Sequence, residues 1–182
     1  MDITETFYAP SRAEWRQWLM ENGAVTREIW LITYSKQSGK PSVDYLEAVE
    51  EALCFGWIDG LTKKIDTERT AQRYTPRRPK SNWTQLNIER ARRLIERGLM
   101  TDAGRATLPD LSPDAYKFPP DIIAALQQDP LVWANYLAFP PVYQRIRVSY
   151  IDGARKQPDE FQKRLDKFIQ KTRENKTFGG IE

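Results

Sequence analysis

The stretch Tyr45–Asn87, YLEAVEEALCFGWIDGLTKKIDTERTAQRYTPRRPKSNWTQLN, constrains this chain more than any other. It reads as a helix, a hairpin and the start of a second helix, with few residues to spare between them. Asp44 is a good N-cap, and Glu47 follows three residues on. Leu46, Val49 and Leu53 form one apolar stripe and Ala48, Ala52 and Phe55 a second, so the helix has a wide buried face. Glu47, Glu50 and Glu51 are expected to face water, and Gly56 ends the helix. Trp57–Ile65 and Arg69–Thr75 read as two strands around a turn at Asp66–Glu68, although their alternation is imperfect. Pro76 and Pro79 stop the second strand. Ser81 is positioned to cap a helix over residues 82–97, with Ile88, Ala91 and Ile95 as its core stripe and Gly98 as its end.

The flanking segments agree with this pattern. Ser11 to Glu14 is a capping box, followed by Trp15, Trp18 and Leu19 on one face, which predicts a helix over 12–22. Residues 28–34, EIWLITY, are β-branched and aromatic on both faces and predict a strand buried on both sides. From Thr101 the chain reads as short helices, each opened by Pro, Asp or Thr: one before Pro109, then 121–128, 131–139, 142–154 and a last one from Pro158. In that last helix Phe161, Leu165, Phe168 and Ile169 face inward, and the six Lys/Arg of 163–176 face out. The reading is an α+β fold: a small antiparallel sheet flanked by helices over 1–110, a helical region over 119–176, and a loose tail over 177–182. The boundary falls in the Pro- and Asp-rich segment 110–120.

Composition excludes several kinds of chemistry. The 182 residues contain no His, which removes Ser-His-Asp and Cys-His catalysis and every His-containing metal site. Cys54 is the single Cys, so an internal disulfide and a Cys-based zinc site are excluded as well. No cofactor or metal is expected. The chain has no apolar run of the ~18 residues a membrane span needs and no signal-peptide pattern at its start, so a cytoplasmic location is expected. Net charge is only +3 but is unevenly placed: residues 63–97 carry +7, residues 145–176 carry +5 and residues 1–62 carry −5. Such asymmetry either attracts an anion or is neutralised within the fold.

The candidate site lies in the hairpin and in the basic segment after it. Arg77, Arg78 and Lys80 precede Ser81, Asn82 and Trp83 at a predicted helix start, where unpaired N–H groups favour anions and guanidinium adds bidentate geometry. Asp59, between Trp57-Ile58 and Gly60, is a carboxylate in an apolar strand and needs a partner or a function. Across the hairpin it should lie near Tyr74–Arg78. The candidate ligand-binding set is therefore Trp57, Asp59, Arg73, Arg77, Arg78, Lys80, Ser81, Asn82 and Trp83. The plainer reading makes this a capped helix whose arginines pair with acids of the first third, with Asp59 in an ion pair and the tryptophans in the core. Cys54, near a helix C-terminus with apolar neighbours, reads as a buried small hydrophobe.

Three motifs carry a family resemblance. ALCFGWIDG (52–60), RYTPRRPKSNWTQLN (73–87) and GLMTDAG (98–104) resemble the bacterial YdeI/OmpD-associated family, also known as OmdA or bacteriocin-protection proteins. PPDIIAALQQDP (119–130) and YQRIRVSYIDGARKQP (143–158), with the basic helix that follows, resemble that family's C-terminal helical region. The resemblance implies a context of bacterial tolerance to bacteriocins and cationic antimicrobial peptides, with a link to an outer-membrane porin. It carries no reaction, cofactor or catalytic residue.

The first expectation is thus a non-enzymatic stress- or peptide-resistance protein that binds an anionic small molecule or an acidic protein segment. The second is a His- and metal-independent enzyme using Asp59 with Arg73, Arg77 and Arg78. The third is a weak nucleic-acid binder. It ranks last because no GXXG or RNP-type signature is present, and non-specific contact with nucleic acid should be strongly salt-dependent.

Overall fold

The computed structural model describes residues 2–79 and 81–180. They form two compact units, one from residues up to Ser81 together with Ala91–Leu108, the other from Asn82–Arg90 together with Pro109 onward. The fold is α+β, with a four-stranded sheet in the first unit and helices in the second.

The sheet is built from β1 (Thr6–Tyr8), β2 (Ile29–Tyr34), β3 (Trp57–Lys64) and β4 (Arg69–Pro76), in the order β1-β2-β4-β3. The expected antiparallel core is present, as β4 pairs antiparallel with both β2 and β3. β1 adds a parallel edge strand that the sequence did not reveal, because three residues are too few to show a period. β2 is buried on both faces, as its composition predicts. Ile29 and Leu31 join Trp15, Leu19, Trp57 and Tyr74 in one cluster, while Trp30 and Ile32 pack with Ala71 on the other side.

The imperfect alternation of β3 has a cause. Asp59 pairs with Tyr74, but Thr62 pairs with Gln72, so three residues of β3 span two of β4. This is a bulge at Gly60-Leu61, and it switches which parity of β3 faces the first cluster's side of the sheet. The Gln72 side chain stabilises the bulge: its Nε2 donates to the Gly60 carbonyl at 2.9 Å, and its Oε1 accepts from Thr62 Oγ1.

Helix α1 (Arg12–Asn22) starts at Ser11, whose side chain accepts from the Glu14 amide, as the capping box predicts. Its tryptophan Trp15 donates from Nε1 to the Ala48 carbonyl of α2 (Tyr45–Cys54) at 3.0 Å. α2 is capped by Asp44, which accepts from the Leu46 amide. Its whole stretch Ala48–Cys54 is buried, and this corrects one expectation. Glu50 and Glu51 do not face water; they are 8% and 1% exposed. Arg12 meets Glu51 at 2.6 Å and Glu50 at 3.1 Å, and Arg16 meets Glu51 at 2.6 Å. Arg93 of α3 (Gln85–Glu96) meets Glu50 at 2.7 Å. Pattern alone places charge outside, but these carboxylates have three guanidinium partners.

α3 begins later than expected. Thr84, whose Oγ1 accepts from the Asn87 amide at 3.2 Å, takes the capping role assigned to Ser81. The buried positions of this helix are Gln85, Arg90, Ala91 and Leu94; Ile88 and Ile95 are only half-buried. Ala91 sits at the centre of both stripes, so the sequence located the face but not its rotation. The short α4 (Asp102–Arg105) is capped by Thr101 and lies against the end of α2. Thr101 Oγ1 donates to the Cys54 carbonyl at 2.6 Å, and a Cβ on Gly104 would fall 2.2 Å from that same oxygen. Only glycine allows this approach.

In the second unit α5 (Pro120–Gln127), α6 (Pro130–Ala138), α7 (Pro141–Asp152) and α8 (Pro158–Arg173) each have Pro in the first turn, where its missing N–H costs nothing. They enclose a core that includes Ile122, Leu126, Val132, Tyr136, Tyr143, Val148 and Phe168. The tail expected to be loose is held through Gly180: Phe178 packs on this core and its amide donates to Tyr143 Oη at 3.1 Å. Residues 181–182 lie outside the described residues.

Truncation of Leu53, which is 2% exposed, should cost about 2–5 kcal/mol. Glu51→Ala should cost about 3 kcal/mol, since it removes the carboxylate that Arg16 pairs with and leaves Arg12 with Glu50 alone. Urea melts of the two variants check this; a loss below about 1 kcal/mol for either contradicts the placement.

Candidate functional site

The bulge and the hairpin register decide where Asp59 sits. Opposite Tyr74 on β4, its carboxylate shares one side of the sheet with Leu31 and Thr33 of β2 and with Thr70, Gln72 and Tyr74 of β4. The first turn of α2 closes the other side with Tyr45 and Ala48. The result is a cleft of about 470 Å³, with Lys36 and Ser42 also lining it. Tyr45 Oη donates to Asp59 Oδ2 at 2.9 Å. A cavity of this size can hold a small molecule, and most of the residues lining this one carry polar side chains.

Tyr74 is the unusual member. Its ring is fully buried against Trp15, 5.2 Å between centroids, yet its hydroxyl has no hydrogen-bond partner among the described residues. A buried unsatisfied hydroxyl is costly, and native proteins rarely leave one without a reason. Burial, followed by the nearby Asp59 carboxylate and Tyr45, pushes its pKa well above the usual tyrosine value. It therefore stays protonated at neutral pH and keeps a proton to donate.

The predicted site residues are dispersed. Asp59 lines the cleft. Trp57 is 1% exposed and belongs to the core, with its Nε1 donating to the Gly23 carbonyl at 3.2 Å. Arg73 forms a two-pronged pair with Glu28, using Nε at 2.7 Å and also Nη2. That contact lowers the Glu28 pKa, with smaller help from Thr4. Arg77 is 6% exposed, its amide donates to the Gly56 carbonyl at 2.8 Å and its Nη1 to Ser81 Oγ at 3.3 Å. Burial lowers its pKa, and the Asp59 charge opposes that shift. Arg78 is exposed. Lys80 lies outside the described residues, and Ser81 falls in the first unit while Asn82 and Trp83 fall in the second.

The sequence missed Tyr45, Gln72 and Tyr74. Tyr74 was nearly within reach: the turn position alone sets Asp59 opposite Thr75, and the bulge moves its partner by one residue to Tyr74. Tyr45 was not, because only the packing of α2 brings it there. Among the described residues no group of His, Cys, Asp and Glu is arranged to hold a metal ion, and no helix is long and apolar enough to cross a membrane.

Against this geometry, comparison with known proteins gives two matches. The family model described as a domain of unknown function (DUF8412) matches residues 7–107. The model described as bacteriocin-protection, YdeI or OmpD-associated (OmdA) matches residues 115–175, in agreement with the resemblance of the C-terminal motifs. No curated protein and no solved structure matches the chain.

Cys54 takes no part in the cleft. It is fully buried, and burial, followed by the charge of Glu51, pushes its thiol up to about 11. The thiolate is the reactive form, so the native protein should be inert to an aromatic disulfide reagent at pH 7–8 and should release one equivalent of thiol only after unfolding. Rapid labelling of the folded chain contradicts the placement.

Proposed function

The chain belongs to the DUF8412 family and its C-terminal region matches the OmdA model, and on that premise we propose that it is a non-enzymatic cytoplasmic protein of bacteriocin or antimicrobial-peptide protection that binds a small polar molecule in the Asp59 cleft. The observation that carries this reading is the buried Tyr74 hydroxyl, without a partner among the described residues, near the Asp59 carboxylate. The ligand it favours carries both an acid group and a hydrogen-bond donor. The acid group can accept from Tyr74 and meet Lys36 at the margin; the donor can meet Asp59. The dimensions of the cleft favour a small molecule over a protein segment as the occupant.

The enzymatic reading, with Asp59 acting alongside Arg73, Arg77 and Arg78, has less support. Arg73 is neutralised by Glu28, and Arg77, although near enough to feel the Asp59 charge, is buried with Ser81 as a partner.

The test is complementation. In a strain lacking this protein, the wild-type gene should restore survival under bacteriocin challenge. Asp59→Asn and Tyr74→Phe, at equal protein levels, should fail to do so, because each lost hydrogen bond in a buried site weakens ligand binding about tenfold. Full complementation by both variants contradicts the role of the cleft.

A further inference from the structure

Helix α7 buries two arginines, two residues apart, and treats them differently. Arg145 meets Glu89 at 2.7 Å, with both side chains at or below 10% exposure. Arg147 is 8% exposed and has no carboxylate partner among the described residues. Its Nη2 donates to the Gly180 carbonyl at 3.0 Å, and its guanidinium carbon lies 5.4–5.7 Å from the rings of Tyr143, Tyr150 and Phe178. Its Nε is buried without a partner. Rings offset part of the desolvation of a cation, but a counter-charge offsets far more.

Arg147 also lines a cavity of about 330 Å³ within the second unit. The rest of that wall is mainly apolar, with Leu86, Ile146 and Tyr150, and Thr84, Gln85 and Ser149 add polar groups. Arg164 lies on the same wall, its guanidinium 3.9 Å from the Tyr150 ring centre, with its own donors committed to Glu160 and to the Tyr150 carbonyl. Among the described residues no acidic residue lines the cavity. A buried guanidinium with no carboxylate partner among the described residues, at the wall of a mainly apolar pocket, is the arrangement that recognises an amphipathic anion.

We propose that this cavity is a second ligand site, for a small organic monocarboxylate with an apolar tail, its carboxylate on Arg147 and its tail against Leu86, Ile146 and Tyr150. Its residues are all distinct from those of the Asp59 cleft, and the proposal stands or falls independently of that reading.

Sodium octanoate is the probe, titrated into the full chain by calorimetry and by amide NMR, with 1-octanol as the uncharged control of equal tail length. Octanoate should shift amides of residues 84–86, 146–153 and 164, and should bind at least about tenfold more tightly than octanol, the margin a charge-assisted contact supplies. Arg147→Gln should lower octanoate affinity about tenfold while leaving octanol binding unchanged. If that variant does not fold, the octanoate–octanol comparison on the unaltered chain still decides the matter. Absence of shifts at millimolar octanoate, equal binding of octanol, or shifts spread without regard to these residues overturns the proposal.

Discussion

The first unit depends on two carboxylates that a sequence would place in water. Glu50 and Glu51 lie inside, and Arg12, Arg16 and Arg93 close over them from α1 and α3. Arg16 also donates to the Leu99 carbonyl at 3.0 Å, so one side chain ties α1, α2 and the segment after α3 together. Charges this far from water need near-complete pairing, and only one placement of α2 supplies it. That placement has a consequence at the other end of the helix. Tyr45, in the first turn of α2, is carried to Asp59, and the cleft closes around them.

Pairing of the same kind neutralises part of the acidic first third. The acidic first third is matched by arginines: Glu28 by Arg73, Glu50 by Arg12 and Arg93, and Glu51 by Arg12 and Arg16. Two of these arginines, Arg73 and Arg93, come from the basic stretch 63–97, while Arg12 and Arg16 belong to the acidic third itself. Arg73 is paired with Glu28, so it brings no net positive charge to the polar cleft. Charge runs report where a fold is neutralised as readily as where it meets a partner.

Local chemistry was legible in the sequence wherever a single element determined it. The capping box fixed the start of α1, Asp44 that of α2, and the β-branched run of β2 declared burial on both faces. What the sequence hid is tertiary or too short to read. β1 has three residues, and the bulge at Gly60-Leu61 appears only as a break in alternation. The start of α3 at Gln85 passed over Ser81 in favour of Thr84, both being good caps on chemistry alone. Asp59 was singled out correctly as a carboxylate needing a partner, but its partner is the hydroxyl of Tyr45, supplied from fourteen residues earlier by helix packing. Pairing of this kind leaves no trace in spacing.

The central claim is that the clamp on α2 builds a cleft whose Tyr74 hydroxyl awaits a ligand. Tyrosine labelled with carbon-13 at the ζ position reports it directly, because that carbon senses the hydrogen bonding of its own hydroxyl. Spectra are recorded before and after addition of the small-molecule fraction of a bacterial extract. The account predicts that the Tyr45 and Tyr74 signals move, that Tyr116 and Tyr136 of the second unit do not, and that Asp59→Asn abolishes the change. Tyr45 and Tyr74 signals that stay fixed, or that move equally in Asp59→Asn, would contradict it.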